Sequence, residues 1–186
     1  RVGLNLYSCK SFPNEWEIEK KILDIPCKDS TLFYDGILYW LFTTVSLPGT
    51  QNEESLKIFT SDNLHAEFTP FKGKIHAENI NNSRSAGSIF NIGKKLFRPS
   101  QDSSKTYGGA ININRIIKID KDIYKEKFVG TINPNWMKGI NRTHTFNRTN
   151  QITVIDGSFR RTDWKRIFHW RKIFSKSNFY KTLVQE

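Results

Sequence analysis

Alternation of apolar and polar residues with a period of two runs through most of the chain and predicts short β-strands. Residues 4–8 and 16–19 alternate in this way around a Pro-containing turn, which predicts a hairpin. Residues 29–33 and 37–42 predict a second hairpin, since the intervening Asp35-Gly36 pair favours a tight turn. Because residues 37–42 are apolar on both faces, this strand is predicted to lie buried between neighbours.

The strand pattern recurs along the chain at intervals of fifty-odd residues. Tyr7 and Phe59 occupy equivalent positions 52 residues apart, Phe33 and Phe90 are 57 apart, and Phe146 follows Phe90 by 56. Repeats of this length built from short strands are typical of β-propeller blades. About three blades fit into the chain, whereas five would need roughly 250 to 300 residues. We therefore expect an incomplete propeller, complemented by further sequence or by a partner chain.

The segment 97–116 combines a polar cluster with a predicted strand. From residue 110 to residue 116 apolar side chains are interleaved with Asn and Arg, as in a half-buried strand. The preceding residues are dense in polar groups and end at a Gly-Gly pair, which permits a sharp bend. A polar cluster at a strand end is a candidate site; the alternative is a turn whose side chains bond the local backbone.

The last third of the chain is richer in charge. Residues 120–127 predict a turn or a single helical turn. In residues 164–180 apolar side chains recur at helical spacing among Lys and Arg, which predicts a basic amphipathic helix. Residues 1–163 are therefore expected to form the blades and residues 164–186 a separate tail. The tail either caps an open edge of the propeller or contacts a membrane surface or anionic partner.

Composition indicates a basic globular protein. The 186 residues carry a formal charge of +11 with a pI near 9.7, which favours polyanionic partners such as anionic glycans, phospholipid head groups or nucleic acid. Nucleic acid is disfavoured because no recognition motif accompanies the charge. The aromatic share of 13% suits a β-rich core or sugar-stacking surfaces. Cys9 and Cys27 are expected to be reduced, buried thiols, and the scattered histidines suggest neither a metal nor a cofactor.

Two sets of residues resemble known families. Residues 29–33, 35–36 and 39–42 resemble the blade openings of five-bladed glycosidase-like propellers. The second set is similar to the N-terminal domain of glucosamine inositolphosphorylceramide transferases and their bacterial relatives. It consists of Ser-Arg-Ser-Ala-Gly at 83–87, Phe-Arg-Pro-Ser-Gln-Asp at 97–102, Tyr-Gly at 107–108 and Tyr-Lys-Glu at 124–126. The likeness spans most of residues 14–156. It implies an all-β, five-bladed propeller of glycosidase type in a glycan-building or glycan-processing context.

The resemblance to family 43 glycosidases also bears on catalysis. Glycoside hydrolysis uses two facing carboxyl groups, one of them the acid. Asp29 matches a blade-opening Asp, whose usual role is to orient and tune the site, but Ala86 occupies the position expected to hold the next carboxylate. We take Asp29 and Asp102 as candidate catalytic residues and Glu78 as a weaker alternative. The favoured interpretation of Glu78 is a solvated carboxylate in a loop.

The repeat places further polar residues near one end of their blades, where propeller strands converge on a central channel. The candidate substrate-binding residues, each of which has a hydrogen bond between blades as its alternative role, are Arg84, Arg98, Gln101, Tyr107 and His144. Arginine forks bind carboxylate or phosphate, and a tyrosine ring stacks on a sugar face.

Two functions are compatible with these features. The first is a carbohydrate-active propeller that binds, and processes or helps to transfer, an anionic or lipid-linked glycan. The second is a non-catalytic scaffold that docks a membrane surface or a partner glycosyltransferase through its basic tail. The composition, rich in Lys, Ile and Asn, is typical of a bacterial protein. A cytoplasmic or membrane-peripheral location is favoured.

Overall fold

The computed structural model describes residues 3–46, 54–77, 84–104 and 106–159. Throughout these ranges the protein is all-β, without a helix. The strands are β1 (Leu4–Ser11), β2 (Glu15–Leu23), β3 (Cys27–Tyr34), β4 (Tyr39–Ser46), β5 (Glu54–Ser61), β6 (Thr69–Pro70), β7 (Lys74–His76), β8 (Phe90–Ile92), β9 (Lys95–Asp102), β10 (Ala110–Ile119), β11 (Ile123–Ile132), β12 (Ile140–Arg142), β13 (Phe146–Arg148), β14 (Thr153–Ile155) and β15 (Ser158–Phe159).

Two antiparallel meanders form the centre of the molecule. The first is a four-stranded sheet in the order β3-β4-β5-β6. The second runs β8-β9-β10-β11, with β7 added in parallel beside β11. Two-stranded units β1-β2, β12-β15 and β13-β14 complete the described fold. Consecutive strands thus pair with each other in the way that a propeller blade requires, while closure of a ring stays a prediction.

The sheets are packed against one another in chain order. We call the sheet β7-β11-β10-β9-β8 the central sheet. Trp40 and Phe42 of β4 contact this sheet at Ile116 and Tyr124. Leu41, between them in sequence, packs on the opposite face with residues of the first hairpin. The prediction that this strand is buried on both sides is confirmed. Elsewhere in the central sheet, Ile111 and Ile113 pack against the two-stranded unit β13-β14.

The two predicted hairpins are present. β1 pairs with β2, and β3 pairs with β4 around Asp35-Gly36. The Asp35 carboxylate accepts hydrogen bonds at 2.7 Å from the amides of Ile37 and Leu38 and from the Trp40 indole. Burial acts to raise the pKa of Asp35, but these donors outweigh it and hold the pKa below its ordinary value. The turn is therefore fixed to the core by one side chain.

The segment 120–127 differs from its prediction. Its turn is limited to Asp120–Asp122, where Asp120 accepts from the amides of Asp122 and Ile123, and a ten-residue strand, β11, follows. The strand was hidden because one of its inward positions holds Glu126, which is 1% exposed. A charged residue on the inner face removes the apolar alternation by which strands are recognised.

An ion pair in the interior explains that glutamate. Arg98 Nε and Nη2 donate to Glu126 at 2.8 and 2.7 Å, and the Tyr124 hydroxyl donates to the same carboxylate at 2.6 Å. Burial would lower the pKa of Arg98, but the charge of Glu126 overrides it and raises that pKa. Burial raises the pKa of Tyr124. Arg98 on β9 and Glu126 on β11 thereby clamp β10 between them.

Further expectations concern the cysteines, the basic helix and Glu78. Cys9 and Cys27 are free, but Cys9 is exposed rather than buried. The predicted basic helix at 164–180 and Glu78 lie outside the described residues. Within the described ranges, no helix is long and apolar enough to cross a membrane, and no three metal-ligating side chains cluster.

Candidate functional site

A polar pocket of about 180 Å³ opens where chain segments of three sheets meet. We call it the Asp29–His144 pocket. Its walls come from the bulged start of β3, from the segment leading into β8 with the end of β9, and from the segment before β13. Its lining residues include Asp29, Thr31, Ser85, Gln101, His144 and Thr145.

Asp29 lines the pocket, and Arg84 forms an ion pair with it. Asp29 lies in the bulge of β3 and is the single non-glycine residue of the described chain with a positive φ, 50°. Its Oδ2 accepts from Arg84 Nε and Nη2, each at 2.8 Å. The Arg84 guanidinium also lies 5.5 Å from the centre of the Tyr107 ring. The strained bulge therefore presents a carboxylate that orients an arginine beneath an aromatic ring.

His144 also lines the pocket, and Asp156 contacts its imidazole. Asp156 contacts His144 Nδ1, and its Oδ1 accepts from the amides of His144 and Thr145 at 2.8 and 2.7 Å. Burial pushes the pKa of Asp156 up, but these amides and the imidazole outweigh it, so that pKa is lowered. The imidazole edge meets the Tyr107 ring at 5.3 Å. Since Asp156 occupies Nδ1, Nε2 is the ring nitrogen left to a ligand.

Two buried oxygen atoms on residues that line the pocket have no hydrogen-bond partner within the described residues. They are Ser85 Oγ and Gln101 Oε1, on side chains whose residues are 3% and 4% exposed. Gln101 Nε2 donates to the Ser85 carbonyl at 3.0 Å, which fixes the amide so that its oxygen is the free end. Unpaired buried polar atoms are uncommon in proteins and call for a reason.

Behind the pocket, the chain passes very close to another strand at Gly87. A side chain there would lie 2.0 Å from the Phe146 carbonyl oxygen, and the φ of Gly87 is +146°. The Gly87 carbonyl accepts from Thr31 Oγ1 at 3.1 Å, and the Phe146 amide donates to Ala86 at 2.6 Å. Three sheets are therefore joined at one glycine.

The structure brings most of the predicted site residues together. Asp29, Arg84, Gln101, Tyr107 and His144 surround one pocket or touch each other at its edge. Asp29 and His144 among them lie more than a hundred positions apart in the sequence.

Two predicted residues lie elsewhere. Asp102 accepts from the amide and hydroxyl of Ser104 at 3.0 and 2.6 Å and so stabilises its own turn. Arg98 is fully buried and is engaged by Glu126. Neither side chain lines the pocket, and Glu78 lies outside the described residues.

Two residues important to the site were not predicted. In the sequence, Ser85 stands out only as part of the family motif at residues 83–87. Asp156 stands out only as the last residue of the stretch that the family resemblance covers. The sequence does give a signal for Asp156, because an Asp-Gly pair directly after strand β14 repeats the Asp35-Gly36 arrangement. No pattern signals that Ser85 has an unpaired hydroxyl, which depends on packing.

A second pocket of about 410 Å³ lies beside the first, and we call it the Arg142 pocket. It is lined by Thr106, Asn141, Arg142, Ser158 and Phe159. Its lining is polar, with one cation and one aromatic ring.

The described residues form an all-β protein whose packed sheets present a polar pocket edged by an aromatic ring. A family model described as "Glucosamine inositolphosphorylceramide transferase 1, N-terminal" matches residues 1–162. The chain belongs to this family.

Plant proteins are among its relatives. A protein of Oryza sativa subsp. japonica named glucosamine inositolphosphorylceramide transferase 1 is 35% identical over 127 residues, covering 66% of this chain and 17% of that protein. The relative of the same name from Arabidopsis thaliana is 30% identical over 126 residues, covering 66% of this chain and 16% of its own length. The chain thus corresponds to a small part of relatives named for glycolipid synthesis, and the predicted bacterial origin stays a prediction.

Proposed function

We propose that this protein is a glycan-binding module of glycolipid biosynthesis, and that the Asp29–His144 pocket holds one sugar of the glycolipid. The observation that carries the proposal is the pair of unpartnered oxygen atoms, Ser85 Oγ and Gln101 Oε1. Each such buried atom costs about 1–3 kcal/mol when it is left unpaired. Sugar hydroxyls both donate and accept hydrogen bonds, so a bound sugar would satisfy both atoms.

The surroundings suit a carbohydrate in other respects. The volume of about 180 Å³ corresponds to roughly six water molecules, which is on the scale of a single sugar ring. Tyr107 is half exposed at the rim and offers a ring face for stacking. Asp29 and His144 supply further hydrogen-bonding groups. A site with this lining recognises hydroxyl groups by direct hydrogen bonds.

We favour binding over hydrolysis as the module's role. The Asp29 carboxylate is engaged by Arg84, and the residue in the place of the expected second carboxylate is Ala86. Asp29 then orients Arg84 and the sugar. Assistance to a transferase that acts on the bound glycan follows from the names of the relatives. In this proposal the three stacked sheets are blades of a five-bladed propeller, and the pocket lies at its axis.

Ser85 provides the test. We expect Ser85→Ala to lower the affinity for methyl glucosaminide, chosen from the family name, by about tenfold, since one hydrogen bond to the sugar is lost. In the absence of sugar the free energy of unfolding should not fall, and should rise by up to about 1–3 kcal/mol, because the substitution removes a buried hydroxyl without a partner among the described residues. Isothermal titration calorimetry and urea unfolding measure the two quantities.

Ser100→Ala is the matched control. Ser100 is buried on the neighbouring strand opposite Ser85, and its hydroxyl accepts from Asn114 at 2.9 Å. The control should lose stability and keep its affinity for the sugar. No binding of methyl glucosaminide, methyl glucoside or methyl N-acetylglucosaminide to wild type, or equal affinity of wild type and Ser85→Ala, would contradict the proposal.

A further inference from the structure

We propose that the Arg142 pocket binds an anionic group of the same ligand whose sugar occupies the Asp29–His144 pocket. The inference rests on the proposed function and adds a second subsite with its own chemistry. Its ligand is a carboxylate or a phosphate attached to, or next to, the bound sugar. The arginines predicted for this task from the sequence, Arg84 and Arg98, do not take part.

The two pockets share a wall. Gly108 forms part of it, because a side chain built on Gly108 would lie 3.5 Å from Arg142 Cβ and 3.7 Å from His144 Cβ. Tyr107, which contacts His144, directly follows Thr106 of the Arg142 pocket. The Thr143 amide donates to the Gly108 carbonyl at 2.9 Å and fixes this wall against the segment between β12 and β13. A ligand of two linked groups can therefore extend from one pocket into the other.

The charges of the arginines decide which pocket takes the anion. Arg84 is neutralised by Asp29, and Arg98 by Glu126. Arg142 is exposed at the end of β12, where its backbone pairs with Ser158, and its guanidinium forms no ion pair or hydrogen bond with any described residue. The Asp29–His144 pocket therefore has no uncompensated arginine, whereas the Arg142 pocket has one.

The remaining lining fits an anion carried on a sugar. The Thr106 and Ser158 hydroxyls and the Asn141 amide supply donors around the guanidinium, and Phe159 offers an apolar surface. An arginine fork binds carboxylate or phosphate through two parallel hydrogen bonds, and such charge-assisted bonds are about twice as strong as neutral ones. The structure favours both oxyanions alike, so the experiment distinguishes them.

Three probes separate the subsites: methyl glucoside, which is neutral, methyl glucuronide, which carries a carboxylate, and glucose 6-phosphate. We expect wild type to bind at least one charged probe about tenfold more tightly than the neutral one. Arg142→Gln should remove this preference and leave the affinity for methyl glucoside unchanged. Arg142→Lys should keep part of the preference, since it retains the charge but not the fork. A preference for only one charged probe identifies the oxyanion.

Arg148→Gln is the matched control, because it makes the same change of charge on β13, where Arg148 donates to Thr153. It should leave the preference intact at 150 mM salt. Equal effects of Arg142→Gln and Arg148→Gln, or a wild type without any preference for a charged probe, would overturn the inference. Both results leave the proposed function standing, since that depends on Ser85 and the neutral sugar.

Discussion

Asp156 illustrates how one carboxylate organises the candidate site. It binds the backbone amides of His144 and Thr145 and the imidazole of His144, so it fixes both the path of the chain and the ring orientation. The contact with Asp156 through Nδ1 leaves Nε2 as the ring nitrogen available to a ligand. A histidine held in this way presents one defined nitrogen to its ligand.

We expect Asp156→Asn to lower the free energy of unfolding at pH 7 by about 1 kcal/mol, because a charged acceptor becomes neutral at a partly solvated position. The folded-state pKa of Asp156 is lowered, so its contribution is complete above the unfolded-state pKa of about 3.9 and is lost as the pH falls through the folded-state value. The difference between wild type and variant should therefore begin to shrink as the pH falls below about 3.9 and vanish only below the folded-state pKa. Urea unfolding at pH 7 and pH 3 measures it.

Asp24→Asn serves as the control, since Lys21 is the one ion-pair partner of Asp24 among the described residues and the pair lies at the surface. Nitrogen-15 NMR of the imidazole gives an independent readout. His144 should show one dominant tautomer in wild type and a mixture in Asp156→Asn. Unchanged imidazole spectra would refute the positioning role of Asp156.

Among the elements, the central sheet depends on a charged pair rather than on apolar packing alone. Arg98 on β9 and Glu126 on β11 meet across β10, and both are almost fully buried. Removal of one partner leaves the other as a buried charge without compensation, whereas replacement of both by apolar residues is often nearly neutral.

Glu126→Gln should therefore destabilise the protein by about 3–5 kcal/mol. The double variant Arg98→Met/Glu126→Leu should recover much of this loss. Glu17→Gln, which breaks the exposed pair between Lys10 and Glu17, should cost less than about 1 kcal/mol. Denaturant unfolding of the four proteins distinguishes the cases, and a loss for Glu126→Gln as small as that for Glu17→Gln would contradict the argument.

The elements also show what the sequence could predict. The hairpins β1-β2 and β3-β4 follow from alternation and from Asp35-Gly36, which are local signals. β11 was missed because its inward glutamate is compensated by an arginine 28 residues earlier, which no local pattern contains. For the same reason Arg98 was assigned to ligand binding. The gathering of Asp29, Arg84 and His144 was predictable because the repeat indicated which strand ends converge.

At the scale of the whole molecule, charge is distributed unevenly. Residues 164–186 contain six Lys and Arg and one Glu, out of a formal net charge of +11 for the chain. This concentration supports the alternative function, in which the tail contacts an anionic membrane or partner. Each basic residue near an anionic membrane surface contributes about 1 kcal/mol, and salt weakens the attraction.

We expect the full chain to bind phosphatidylserine vesicles at 50 mM salt and to release them by 500 mM. Replacement of Lys165, Arg166, Arg171 and Lys172 by Gln should abolish binding. The control replaces four exposed lysines of the described strands and turns, namely Lys121, Lys125, Lys127 and Lys138. Vesicle co-sedimentation measures the outcome, and equal losses in both variants would show that net charge, not the tail, is responsible.

The contacts at Gly87 make formation of the pocket dependent on the packing of the sheets. Because β3, the segment before β8 and the start of β13 meet at this residue, no isolated sheet contains the pocket. A ligand can be held only when the three sheets that contain these segments are packed together, and once bound it stabilises that packed state by mass action. The bound sugar would then stabilise the contacts between the sheets in addition to being the ligand of the module.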